Sequence, residues 1–142
     1  MKKVLALISA LALCLSLVAC GNSDDVVGAD WRTTGVVVGS GTITHDGDSV
    51  DVLVTVSESS AAFYRDLPEQ VLFDSVLFPM RIPYAEQAFY SVSFEDLNGD
   101  EESDVLVSFL HENGDRTELV WIWDSAERYI FQEELSTVTI SQ

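Results

Sequence analysis

The segment Asp96-Leu97-Asn98-Gly99-Asp100-Glu101-Glu102-Ser103-Asp104 carries oxygen-bearing side chains at its first, third, fifth and ninth positions. Hard cations such as Ca²⁺ take six to eight oxygen ligands at about 2.3–2.6 Å. In a tight loop, alternating positions turn several side chains inward. Asp96, Asn98, Asp100 and Asp104 can then converge, and the main-chain carbonyl of Glu102, at the seventh position, supplies a further oxygen. This pattern predicts a Ca²⁺ site formed by Asp96, Asn98, Asp100, Glu102 and Asp104. It is not a full EF-hand, because Val107 stands at the twelfth position, where that motif needs a bidentate Glu. An earlier acidic group, Asp46, Asp48 and Asp51, is shorter and poorer in donors, and is expected to hold no ion.

Other chemistry is sparse. Gly35, Gly39, Ser40 and Gly41 read as a glycine-rich turn, but no Lys follows and no helix opens, so it does not fit a phosphate loop. His45 and His111 are the only histidines, and neither stands in a zinc-site spacing. No G-x-S-x-G elbow is present. The adjacent acids Glu101-Glu102 and Glu133-Glu134 would point to opposite faces of a strand, which suits no acid/base pair. An enzyme is therefore not expected. Trp121 and Trp123 share one strand face and are a possible binding face for sugars or a partner, with Trp31 free to join them. Aromatic cross-strand packing is the commoner use of such residues.

The elements that must position the acidic loop are short and β-rich. GVVVGS and GTITH lead to the hairpin signal Asp46-Gly47-Asp48. DVLVTV, AAFYRD and QVLFDSVLF follow, and Asp66 to Glu69 separates the last two. Pro79 and Pro83 bracket an irregular crossing. FYSVSFE, DVLVSFLH, TELVWIW and RYIFQ complete the series, with turns at Asn113-Gly114-Asp115 and Asp124 to Glu127. No segment sustains a helical period, and evenly spaced short strands imply an all-β fold.

The chain also repeats itself. Asp51-Val52-Leu53-Val54-Thr55 returns as Asp104-Val105-Leu106-Val107-Ser108, each copy preceded by an acidic loop. Downstream, Phe63-Tyr64-Arg65-Asp66 corresponds to Trp121-Ile122-Trp123-Asp124, and Val71-Leu72-Phe73 to Tyr129-Ile130-Phe131. Repeats of this length mean stacked supersecondary units. The expected architecture is two four-stranded antiparallel, blade-like meanders forming a small sandwich or propeller-like domain. The repeats span about 33–78 and 88–135, within one domain of residues 31–142. Two blades cannot close a propeller, which takes at least four, so the sheets should pack face to face or continue a partner's sheet.

The strand–loop–strand segment around Asp96 resembles the Ca²⁺ loops of FG-GAP and VCBS-type β-propeller repeats, with their pattern D-x-[DN]-x-D-G-x-x-D. The resemblance covers nine residues closely and the two repeats loosely, and it implies a structural Ca²⁺. It departs at the sixth position, where Glu101 replaces the usual Gly. That position often needs a permissive backbone, so Glu is expected to weaken or distort the site.

The N-terminus suggests an address. Met1-Lys2-Lys3 is basic, Val4 to Leu17 is apolar apart from two serines, and Leu17-Val18-Ala19-Cys20 closes the segment. This order reads as a signal peptide over residues 1–19. Its apolar run is shorter than the roughly 20 residues of a membrane span. Leu-Val-Ala-Cys resembles the lipobox of bacterial lipoproteins, which implies that Cys20 receives a diacylglyceryl group and becomes the new N-terminus. Residues 20–30 then form an acidic flexible tether. Two acyl chains hold a protein stably on a bilayer where one does not. The implied location is extracytoplasmic, anchored to a cell membrane or outer membrane through lipid on Cys20.

Charge narrows the partners. After loss of Lys2 and Lys3, five arginines face 24 acids, a formal charge of −19. Such a chain does not neutralise phosphates, so no nucleic-acid partner is expected. It attracts divalent cations and basic partners. With Cys14 removed and Cys20 lipidated, no cysteine is left for a disulfide. Together these features predict a lipid-anchored, extracytoplasmic, calcium-binding β-repeat module with a protein or wall-component partner. The alternatives are an inhibitor or immunity-type lipoprotein acting on a wall hydrolase, and a carbohydrate-binding module using the Trp face.

Overall fold

The computed structural model describes residues 35–138. The signal segment, Cys20, the tether and Trp31 lie outside the described residues. The rest is all-β, in two antiparallel sheets. The first is a four-stranded meander: β1 (Val37–His45), β2 (Asp48–Val56), β3 (Ser60–Arg65) and β4 (Leu72–Leu77). One short helix, α1 (Ala85–Ala88), leads into the second sheet. There β5 (Phe89–Ser93), β6 (Val105–Leu110), β7 (Arg116–Asp124) and β8 (Arg128–Phe131) form a second meander. A 3₁₀ turn (Glu133–Leu135) precedes a further short strand, β9 (Thr137–Val138).

The second sheet thus has five strands where four were expected. The reason lies in unequal strand lengths. β8 covers only Trp121 to Asp124 of the nine-residue β7, leaving the start of that edge open. β9 pairs there, with Val138 opposite Thr117 and Thr137 opposite Glu118. Between the two, Val120 donates its N–H to Ser136 Oγ at 3.0 Å and accepts from Gln132 N at 2.8 Å. The backbone of β7 is therefore served continuously along that edge.

The two DVLV segments take matching places. Each lies at or just before the second strand of its meander, β2 between β1 and β3, and β6 between β5 and β7. Val52, Val54, Val105 and Val107 are buried, and Leu53 and Leu106 are half-buried on the opposite faces. This is the alternation a strand with one core face requires. The inward faces of both sheets meet in a single core. Ile43, Val52, Val54, Phe63 and Val76 come from the first, and Val105, Val107, Phe109, Leu119 and Trp121 from the second. Edge-to-face contacts cross between the sheets, Phe63 to Phe94 at 5.2 Å and Phe78 to Phe109 at 5.5 Å. The packing is that of a small sandwich.

The glycine-rich segment expected to turn does not. Gly39-Ser40-Gly41 continues β1, with a register shift between Val37 and Gly39. Its glycines serve packing. Gly41 shares a face with buried Ile43, and a Cβ built on it would stand 2.4 Å from the ring of Phe94. A Cβ on Gly39 would stand 3.2 Å from Phe89 and Val92. Bare backbone here lets β1 lie against the start of the second sheet.

Gly41→Ala should therefore lower stability by about 1–3 kcal/mol, the usual cost of overpacking. Combining it with Phe94→Ala should cost less than the sum of the two, because the clash has then lost one partner. Denaturant melts of the four proteins in this cycle check the coupling; additivity would mean that the contact does not exist in solution.

Candidate metal centre

The acidic segment forms the connection from β5 to β6 and folds around Asp96. Asp96 Oδ1 accepts from the backbone N–H groups of Asn98 (3.2 Å), Gly99 (2.6 Å) and Asp100 (3.2 Å), and Oδ2 accepts from Glu101 N at 2.9 Å. These donors, Glu101 N foremost, hold its carboxyl below the usual Asp range, although some desolvation opposes them. Asp100 Oδ1 accepts from Glu102 N at 2.9 Å and Oδ2 from the Asn98 amide at 3.1 Å. The Asn98 side-chain oxygen accepts in turn from Asp100 N at 3.2 Å.

Asp104 closes the loop from below. It is fully buried, with 0% exposure. Oδ2 accepts from Leu97 N at 2.7 Å and Oδ1 from Trp123 N at 2.9 Å, so it ties the loop to the end of β7. Oxygens of Asp96, Asp100 and Asp104 lie within 4.8 Å of one another. Two oxygens on one Ca²⁺ sit at most about 5 Å apart, twice the bond length, so one ion can reach all three. None of the three has an arginine partner among the described residues. Every donor is a hard oxygen, which suits Ca²⁺ or Mg²⁺ and not a thiolate-seeking metal.

The Glu102 side chain has another task. Both of its oxygens accept from Asp46 N, at 3.1 and 3.0 Å, in the β1–β2 turn. Only its main-chain carbonyl is left for the role expected from sequence. Glu101, at the sixth position, adopts φ +68°, in the left-handed region. The backbone does require there what Gly supplies most easily.

The first acidic group has a different geometry. Asp46 and Gly47 are the two central residues of a tight hairpin, both at positive φ (52° and 81°). Asp48 and Asp51 are already in β2, and the Asp51 carboxylate accepts from Thr42 Oγ1 at 2.7 Å. With two residues in the turn there is no loop to wrap an ion, and Asp46, Asp48 and Asp51 form no metal-compatible cluster among the described residues.

Trp121 is 2% exposed and packs on Phe78 and Phe131 in the core. Trp123 is half-buried. The His45 ring stacks on it at 3.7 Å and 12°, and the Arg128 guanidinium lies 5.3 Å from its centroid. His45 Nε2 is 3.1 Å from Ser103 O and 3.3 Å from Tyr129 Oη. A carbonyl only accepts, so the contact with Ser103 places a proton on Nε2. Burial, with the negative charge of Asp74 adding to it, pushes the Tyr129 phenol far above its usual range, so it stays protonated. Ser103 pairs with β1 as well: its N–H donates to Thr44 O, and Thr44 N donates to its Oγ, both at 2.9 Å. The acidic loop is thus fastened to both sheets. Sequence spacing does not reveal this cluster, because its members are up to 84 positions apart.

Two substitutions separate scaffold from ligand. Asp104→Ala should cost about 2 kcal/mol or more even in chelator, since two backbone donors lose their acceptor. Glu101→Gly should raise stability in chelator by about 0.5–1 kcal/mol, the left-handed strain relieved less the entropy of glycine. Urea melts in excess chelator check both; an unchanged Asp104→Ala would show that its carboxylate does not hold the loop.

No protein-family description, curated protein or solved structure matches this chain.

Proposed function

We propose that this chain is a lipid-anchored, extracytoplasmic module that binds one structural Ca²⁺ and acts by binding at the cell envelope. One observation carries the ion: three carboxylates converge within 4.8 Å, one of them fully buried, with no basic partner among the described residues. Like charges so close repel, and a divalent cation is the natural counter-charge. Asp96, Asp100 and Asp104 would hold it, joined by Asn98 Oδ1 and the Glu102 carbonyl. The ion would neutralise the loop and stiffen the junction between β5, β6 and β7. The anchor rests on the Leu17-Val18-Ala19-Cys20 motif. The partner is a protein or wall component. An inhibitor of a wall-degrading enzyme is the second reading, favoured by a formal charge of −17, or −19 without Lys2 and Lys3, that draws basic proteins.

The purified protein should gain stability from Ca²⁺ and lose it with chelator. Exported Ca²⁺ modules have dissociation constants of about 10⁻⁴–10⁻³ M. At about 1 mM free Ca²⁺ and a constant of about 0.1 mM, the gain is about 1.4 kcal/mol. For a domain of this size that is a melting shift of about 3–8 °C. Asp96→Ala or Asp100→Ala should abolish the shift, while Asp46→Ala should keep it. Identical melts in Ca²⁺ and chelator would leave the loop as an acidic turn.

The anchor is tested separately. Cys20→Ser should move the protein from the detergent phase to the aqueous phase, or stall its precursor. A variant that partitions like the wild type would refute lipidation.

A further inference from the structure

A second site lies at one end of the sandwich, on the core-facing side of the first sheet. The register places three neighbouring pairs there: His45 opposite Asp48, Ile43 opposite Val50, and Arg65 opposite Val52. Toward the core this row is covered by the second sheet. At its outer end a cleft of about 420 Å³ remains, within the range of small-ligand sites. Ile43, Val50 and Phe73 give it an apolar floor; His45, Asp48 and Arg65 form its polar rim.

Arg65 is the unusual member. The other three described arginines each meet a carboxylate: Arg81 with Glu58, Arg116 with Glu118, Arg128 with Asp74. Arg65 makes no such pair among the described residues; its guanidinium lies 5.1 Å from the Phe73 centroid. A guanidinium on an aromatic face keeps its donors for a carboxylate, which it meets with two parallel hydrogen bonds. At the other rim stands Asp48, an acceptor suited to an ammonium. A purely anionic ligand would meet the field of a chain with formal charge −17. A ligand with one charge of each sign is not repelled as a whole.

Spacing sets the ligand's length. Asp48 lies four residues before Val52, about 13 Å along the strand from the position opposite Arg65. The two side chains shorten that gap. Two or three extended residues, at about 3.3–3.6 Å each, bridge what is left. A ligand with its two charges at opposite ends suits this spacing better than a free amino acid, whose charges sit on one carbon. We infer that this cleft binds a short zwitterionic peptide with apolar side chains: its C-terminal carboxylate on Arg65, its N-terminal ammonium on Asp48, and its side chains on Ile43, Val50 and Phe73.

Calorimetric titration of the full chain with trivaline, N-acetyl-trivaline, trivaline amide and free valine tests this. Trivaline should bind saturably, with a dissociation constant below about 1 mM. Blocking either end should weaken binding about three- to fivefold, the effect of one partly exposed charge pair. Valine should bind more weakly than either blocked peptide. Arg65→Gln should erase the difference between trivaline and its amide, and Asp48→Asn that between trivaline and its acetylated form. Both side chains are exposed, so the two variants should melt like the wild type. Absence of saturation at about 10 mM trivaline, or equal binding of the free and blocked peptides by the wild type, overturns the proposal. So does a variant that keeps the discrimination it should lose.

Discussion

The structure depends on one buried carboxylate. Asp104 is fully enclosed and accepts from Leu97 N at the start of the acidic loop and from Trp123 N near the end of β7. Without it the N–H groups of Leu97 and Trp123 would lose their acceptor, and the loop its tie to β7 through that carboxylate. A charge in the interior needs such partners, because an unpaired one is costly to keep there. The same residue gives the loop its deepest oxygen, so the group that organises the fold also stands in the cluster that could hold a cation.

Asp51 shows how much this depends on context. It precedes the same Val-Leu-Val run as Asp104, yet it is exposed, and its carboxylate accepts from Thr42 Oγ1 on the neighbouring strand. The difference arises upstream. The β1–β2 connection is a two-residue turn that leaves no chain to fold back over the aspartate. The β5–β6 connection runs eleven residues, from Phe94 to Asp104, and arches over its own end. Similar strand sequences therefore reach similar places in their sheets, while the connections before them decide whether the acid is a surface group or a brace.

The fold was largely legible because its signals are local. Alternation marks β2 and β6, and Asp-Gly and Asn-Gly mark their turns. β9 was not legible, since two residues carry no period and their pairing exists only because β8 is short. Gly39-Ser40-Gly41 read as a turn because glycine more often supplies conformational freedom; here it supplies room for Phe94, a partner distant in the sequence. In the candidate site, the spacing of Asp96, Asn98, Asp100 and Asp104 and the positive φ at Glu101 follow from local chain geometry. The diversion of the Glu102 carboxylate to Asp46, and the stack of His45 on Trp123, are tertiary events that linear spacing does not encode.

The fastening of the acidic loop also bears on the time the folded state lasts. Its bonds join residues far apart in the chain: Asp46 with Glu102, Thr44 with Ser103, His45 with Ser103. Pairings of such separation form only after the chain between them has been closed, and so come late in folding. Interactions that are absent from the transition state slow unfolding and leave the folding rate nearly unchanged. Whatever tightens this loop therefore extends the lifetime of the native state, which is the quantity that governs the survival of a protein exposed to forced unfolding or irreversible inactivation.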